Sequence, residues 1–391
     1  MSAWLIPSQT CFNHHLTDPL FALHNAAGHG NVKLIRNLIA DGYDPNLIEP
    51  HVFGTPLHVA IQCNQLPSLL VLLLLGADPE AFEPDSACRN ECHLADNSLR
   101  MAVRWGRREI VKLLWDIGVK RCSYTDHDMA RFRRSRGGRA TGGSLLEVAA
   151  AHGHIDIARD LLEWGWWEGV ERNGALESAA YIWEDELVAM LLARYTFEKP
   201  VLKRAVQNLV DGGPKGFRNC YISYNWTVEQ SVKEACAMAL LLDAGAPVDM
   251  DKLLCRVAGR DCEIETLRLL LARGANVSTR GVAGKTPFHF AARRNPGGPG
   301  KRACSAEGVK VLLEYGADAS LLDDEGVTPV HSLVGENEVE LLKLCLEKGN
   351  ELGGLRDMMD GDGRSFFESG YGEGRRGDGE GFRSAGPNDA Q

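Results

Sequence analysis

The chain has 391 residues, 44% of them hydrophobic and 25% charged, with a net charge of −10. That composition is ordinary for a folded chain and excludes a collagen-like or low-complexity one. The acidic balance opposes wholesale nucleic-acid binding, and no apolar run reaches the roughly 18 residues of a membrane-spanning helix.

The first residues, Met1 to Thr10, lack the basic start and long apolar middle of a secretory signal. The 11 cysteines are scattered and odd in number. They predict reduced thiols and a cytoplasmic and/or nuclear protein. The longest apolar run, Leu69 to Leu75, reads as a buried helix.

An internal repeat dominates the chain. Gly54-Thr55-Pro56-Leu57-His58-Val59-Ala60 returns as Gly284-Lys285-Thr286-Pro287-Phe288-His289 and as Gly326-Val327-Thr328-Pro329-Val330-His331. Each start is followed by paired apolar residues and then Gly-Ala-Asp or a relative, as at Leu72 to Asp78 and Leu312 to Asp318. In such a unit Thr caps a first helix, Pro fits its first turn, and a Gly ends the second helix.

These motifs resemble the ankyrin repeat. The resemblance implies an all-α solenoid of stacked helix-turn-helix units, about nine of them, over residues 20–350. Leading apolar residues fall at Leu23, Leu57, Leu99, Leu146, Leu176, Leu202, Cys255, Phe288 and Val330. Their spacing varies around the family's period of about 33. Longer intervals imply insertions near 80–97, 120–143, 211–227 and 295–306, and shorter ones imply trimmed hairpins. Unit three lacks the Thr-Pro start, and in unit five Tyr195 replaces the terminating Gly. Residues 1–19 are expected to be a cap or a disordered segment. Residues 351–391, with 11 glycines and no apolar periodicity, are expected to be a disordered tail.

By the same resemblance, binding uses the hairpin tips and the concave face built from the first helices. The two residues after each Ala pair point to that face. They are Gly28 and His29, Gln62 and Cys63, Arg104 and Trp105, Ala151 and His152, and Tyr181 and Ile182. Gln207 and Asn208, Arg260 and Asp261, Arg293 and Arg294, and Gly335 and Glu336 complete the series. Trp, Tyr and Arg are the residue types enriched where binding energy concentrates. The candidate partner-binding residues are therefore Arg104, Trp105, His152, Tyr181, Ile182, Arg260, Arg293 and Arg294. Packing of Trp105 and Tyr181 against the adjacent unit is the competing reading.

Between Arg100 and Arg139 there are 12 basic and 4 acidic residues, a basic island on an acidic chain. Its core includes Arg131, Arg133, Arg134 and Arg136, which would suit an acidic partner, RNA or an import receptor; a solvated loop is the alternative. Cys88, Cys92 and His93 with Cys122 and His127 could supply four zinc ligands, but Cys-x3-Cys is not a strong finger spacing and no metal site is assigned. The histidines of the Thr-Pro-Leu-His position, His24, His58, His289 and His331, are structural by resemblance. Trp164-Gly165-Trp166-Trp167 either fills a gap left by a short hairpin or offers an apolar patch.

No phosphate loop, nucleophile elbow or His-Glu-x-x-His pair occurs. The expectation is a non-enzymatic adaptor, monomeric and without cofactors, that binds another protein. The alternatives are a nuclear or RNA-linked regulator using residues 131–139, and a substrate receptor of a ubiquitin ligase.

Overall fold

The structure is a computed structural model that describes residues 21–48, 54–81, 97–120, 143–212, 228–259, 264–292, 306–335, 341–342 and 344–345. Residues 1–19 and 351–391, and most of each expected insertion, lie outside the described residues. Among the described residues all regular structure is helical. The chain divides into two compact units, residues 1–220 with 236–247, and residues 221–235 with 248–391.

In the first unit the helices come in pairs. They are α1 (Ala22–Gly28) with α2 (Val32–Ala40), α3 (Pro56–Gln62) with α4 (Leu66–Leu74), and α5 (Ser98–Arg104) with α6 (Arg108–Asp116). Next come α7 (Leu145–Ala151) with α8 (Ile155–Trp164), α9 (Gly169–Ile182) with α10 (Asp185–Arg194), and then α11 (Lys199–Asp211). Helix α12 (Val228–Asp243) draws residues from both units. The second unit holds α13 (Met250–Ala258) with α14 (Ile264–Ala272), α15 (Pro287–Ala292) with α16 (Ala306–Glu314), and α17 (Pro329–Gly335).

The pairs stack in two layers within each unit. In the first, α1, α3, α5, α7, α9 and α11 pack in series, and so do α2 with α4 and α6 with α8 and α10. In the second, α13, α15 and α17 form one layer and α14 packs on α16. The seam is apolar for a simple reason. Ala26 and Ala27, Ala102, and Ala149 and Ala150 are buried on the first helices, where small side chains let neighbours approach closely. Ile35, Leu69, Leu72, Ile110, Leu114 and Leu161 fill the space behind them. Each buried branched side chain contributes about 1.5–3 kcal/mol. No single pair could bury this face alone, so stability accrues between neighbours.

The first helices begin on interchangeable caps. Thr55 is extended (ψ 167°) ahead of Pro56, and its N–H donates to His58 Nδ1 at 3.1 Å. Thr286 and Thr328 repeat this with His289 and His331 at 3.1 and 3.2 Å. Where Thr-Pro is missing, Asn97 accepts from Arg100 N at 3.0 Å and Ser144 accepts from Glu147 N at 3.2 Å. Unit three therefore starts a proper helix despite its divergent sequence.

A second interaction ties one pair to the next. In His289 Nδ1 accepts from the backbone, so its proton sits on Nε2, and in His24 the Nε2 faces a carbonyl oxygen that can only accept. His24 Nε2 donates to Gly54 O at 3.3 Å, and His289 Nε2 donates to Val327 O at 3.0 Å. Gly54 and Val327 each immediately precede the cap of the next first helix. In the third pair Arg100 stands at this position, fully buried, and its Nη1 donates to Gly143 O at 3.2 Å.

Two joints depart from the others. Helices α2 and α6 end on glycines of positive φ, Gly42 (96°) and Gly118 (83°). Helix α8 instead runs into Gly165 at φ −128°, and α10 runs into Tyr195 at φ −134°, both extended. The sequence-based expectation that a left-handed Gly ends the second helix therefore fails at Gly165. Four-residue links come next, Gly165-Trp166-Trp167-Glu168 and Tyr195-Thr196-Phe197-Glu198, each closing on a Glu at the N-terminal boundary of the next helix, and Glu168 forms a capping box with Glu171. Helices α9 and α11 are correspondingly long, at 14 and 13 residues. The extended link sends alternate side chains to opposite sides. Trp167 is buried and donates from Nε1 to Leu161 O at 2.9 Å, whereas Trp166 is 73% exposed. The Trp cluster thus divides between the two roles its sequence suggests.

Candidate binding surface

The C-terminal ends of the first helices bring the sequence-derived candidates of the first unit into one row. Trp105 is the residue that caps α5, His152 caps α7, and Tyr181 and Ile182 close α9. Arg104, Trp105, His152, Tyr181 and Ile182 are all half-buried, neither in the seam nor fully in solvent. Earlier in the row, His29 and Cys63 are exposed. Consecutive first helices pack side by side, so these side chains succeed one another across α5, α7 and α9.

Tight inner turns hold the row in place. Gly106 (φ 68°), Gly153 (φ 70°) and Trp183 (φ 65°) each take the left-handed conformation just after these residues. The next residue then reaches back. Arg107 donates from Nη2 to Gln62 O, and His154 Nε2 donates to Arg104 O at 2.9 Å. Carbonyls at helix C-termini have no intrahelical partner, and these side chains satisfy two of them. At the third turn Glu184 has no side-chain proton to donate when ionised. There the indole of the left-handed Trp183 is buried and donates to Leu209 O at 2.8 Å. Gly212, at the end of α11, lies so close to Tyr181 that a Cβ there would sit 2.1 Å from the Tyr181 carbonyl oxygen.

His152 donates from Nδ1 to Val148 O at 2.9 Å and stacks on His154, with ring centroids 6.0 Å apart. Burial pushes its pKa down to about 4, and Arg104, His154 and Arg100 push the same way against the Val148 bond. His154 is also lowered, chiefly by burial and further by Arg107. Both imidazoles are therefore neutral at neutral pH. Cys63 is exposed as a residue, but the neighbours that partly enclose its thiol raise the pKa against the pull of Arg107, so Cys63 is no activated nucleophile.

Arg107, His154 and Arg100 escaped sequence reasoning as structural parts. The signal was present as position: the first two come directly after the inner-turn Gly, and Arg100 falls three residues after a cap. Behind the row, the second helices are tied by ion pairs. Arg108 meets Asp160 in a fork at 2.6 and 2.7 Å, and Arg159 bridges Asp156 at 2.7 Å and Glu186 at 2.5 Å.

The other candidates do not join the row. Arg260, Arg293 and Arg294, and Arg131, Arg133, Arg134 and Arg136, lie outside the described residues, as do Cys88, Cys92, His93, Cys122 and His127. Among the described residues no group of three or more His, Cys, Asp or Glu side chains could hold a metal ion. Among the described residues no helix is long and apolar enough to cross a membrane.

Residues 3–83 match the family model for ankyrin repeats (3 copies), a span that includes α1 to α4. No curated protein matches the chain.

Proposed function

We propose, from the premise that this chain is an ankyrin-repeat protein, that it is a non-enzymatic scaffold holding another protein on its first-helix row. Ankyrin repeats are general protein-interaction modules, and the row in the first unit has the side chains such a role needs. The observation that carries the reading is the placement of Arg104, Trp105, His152, Tyr181 and Ile182. They sit half-buried on three consecutive first helices. Side chains of this kind are oriented by packing yet keep a face for a partner, and Trp, Tyr and Arg give the most energy per contact when covered.

The missing hairpins at Gly165–Glu168 and Tyr195–Glu198 shift the reading toward the helix row. At those two joints no projecting tip exists to share the contact.

The test is affinity capture from the native cell with the full chain. A second capture uses Arg104, Trp105 and Tyr181 changed to alanine, with helicity checked by circular dichroism. A protein held by the natural chain and lost by the folded triple variant supports the reading. Equal capture by both overturns it.

A further inference from the structure

We propose that the residues ahead of α1 fold back on the open end of the first unit, where Trp4, Leu5 and Ile6 cover Leu34 and Leu38 of α2. This surface stands apart from the first-helix row, and the inference does not depend on what that row binds.

The argument begins from a register that the second helices share. The third residues of α4, α6, α8 and α10 are Ser68, Ile110, Ile157 and Leu187, and none is more than 3% exposed. Their seventh residues, Leu72, Leu114, Leu161 and Leu191, are fully buried. In α2 the same two positions hold Leu34, which is 39% exposed, and Leu38, which is half-buried.

A missing neighbour on one side accounts for the difference. Helix α2 packs on its own first helix α1 and on α4 of the next pair. What it lacks, among the described residues, is a preceding pair. Leu34 and Leu38 therefore look toward the side on which the stack begins. A terminal unit of a stacked array carries a polar outer face when only water covers it. Two leucines at positions that are buried in the other second helices of the unit are instead the pattern of a face with a cover.

The chain supplies an occupant close by. Residues 1–20 lie outside the described residues, but their point of departure is fixed. Phe21 is buried in one apolar cluster with Val59, beside the start of α1. The longest apolar run in residues 1–20 is Ala3-Trp4-Leu5-Ile6, and 14 residues separate it from Phe21. Extended, that stretch spans roughly 45 Å, several times the distance of about 8–10 Å between packed helix axes. It reaches α2 with length to spare. The match to the ankyrin-repeat family model also begins at residue 3, so repeat-like sequence continues ahead of α1 into this segment. Of the two expectations for residues 1–19, this selects the cap and gives it a seat.

The experiment uses the full chain in two forms. In the first, Asn37, exposed on α2 between Leu34 and Leu38, is replaced by a photo-cross-linking residue, Asn37→p-benzoylphenylalanine. Irradiated protein is digested and its adducts are mapped by mass spectrometry. The expected result is an adduct within one chain that joins α2 to the peptide carrying Trp4 to Ile6. In the second, Trp4→Ser, Leu5→Ser and Ile6→Ser are combined and amide hydrogen exchange is followed. Exchange in α2 should quicken roughly tenfold, with the amides of α8 unchanged. An adduct that joins two chains assigns the face to a second copy and overturns the proposal. So does the absence of any adduct on residues 1–20, and so does α2 exchange that is the same in the triple variant and the natural chain.

Discussion

The Arg100 guanidinium donates to the Gly143 carbonyl oxygen at 3.2 Å across 43 residues of chain, and does there what an imidazole does in two other pairs. His24 and His289 reach the equivalent carbonyls of Gly54 and Val327. A donor other than histidine therefore serves at this position in the third pair. Arg100→Met keeps much of the buried volume but strips the Gly143 carbonyl of this donor, at a cost of about 1–3 kcal/mol. Arg100→His can remake the bond and should cost less. Urea unfolding monitored by circular dichroism ranks the three, and a methionine variant as stable as the natural chain would refute the brace.

Trp183 combines an unfavourable backbone with a favourable side chain. At φ 65° a bulky residue is strained, yet its indole is 2% exposed and bonded to Leu209 O at 2.8 Å. Trp183→Phe should lose that bond and keep the strain, destabilising the first unit by about 1–3 kcal/mol. Trp183→Gly relieves the strain but empties a large buried site, and should be worse by further loss of about 3 kcal/mol. Thermal denaturation of the two variants checks the order; a glycine variant that matches the phenylalanine one contradicts it.

The parts of the fold that could be read from sequence are those where one chemistry serves one position. Thr55-Pro56-Leu57-His58 needs that cap, that ring and that apolar anchor, and α3 begins where they stand. Asn97 and Ser144 were harder to recognise because several short polar side chains cap equally well, so a divergent start forms the same helix. Trp166 and Trp167 are neighbours of one type with opposite fates, and only the extended direction of their link decides which is buried. The placement of Arg104, Trp105, His152, Tyr181 and Ile182 came from position after the Ala pair. The braces that hold them did not, because the Arg107–Gln62 and His154–Arg104 bonds join residues 45 and 50 apart.

Gly106 and Gly42 offer a matched comparison. Both have positive φ, 68° and 96°, so a Cβ strains either backbone by about 1–2 kcal/mol. At Gly42 the Cβ would meet open space, whereas at Gly106 it would sit 2.6 Å from the His154 ring. Displacing that ring breaks its bond to Arg104 O. Gly106→Ala should therefore lower the melting temperature by clearly more than Gly42→Ala and also weaken partner binding. Equal shifts in the two variants would show that the ring adjusts freely.

His152 links stability to pH. Its folded pKa of about 4 lies below the usual value near 6.5, so between these values the unfolded chain binds the extra proton. Stability from this group is complete above about pH 6.5 and is lost as pH falls toward 4. From about pH 7 to about pH 5 the loss should reach about 2 kcal/mol. His154 and His289 are depressed in the same direction, again chiefly by burial, and steepen the trend. His152→Gln keeps an N–H that can reach Val148 O but removes the titration. Unfolding midpoints across that range should fall less in the variant than in the natural chain. Two parallel profiles would mean that His152 takes up its proton in the folded protein without penalty.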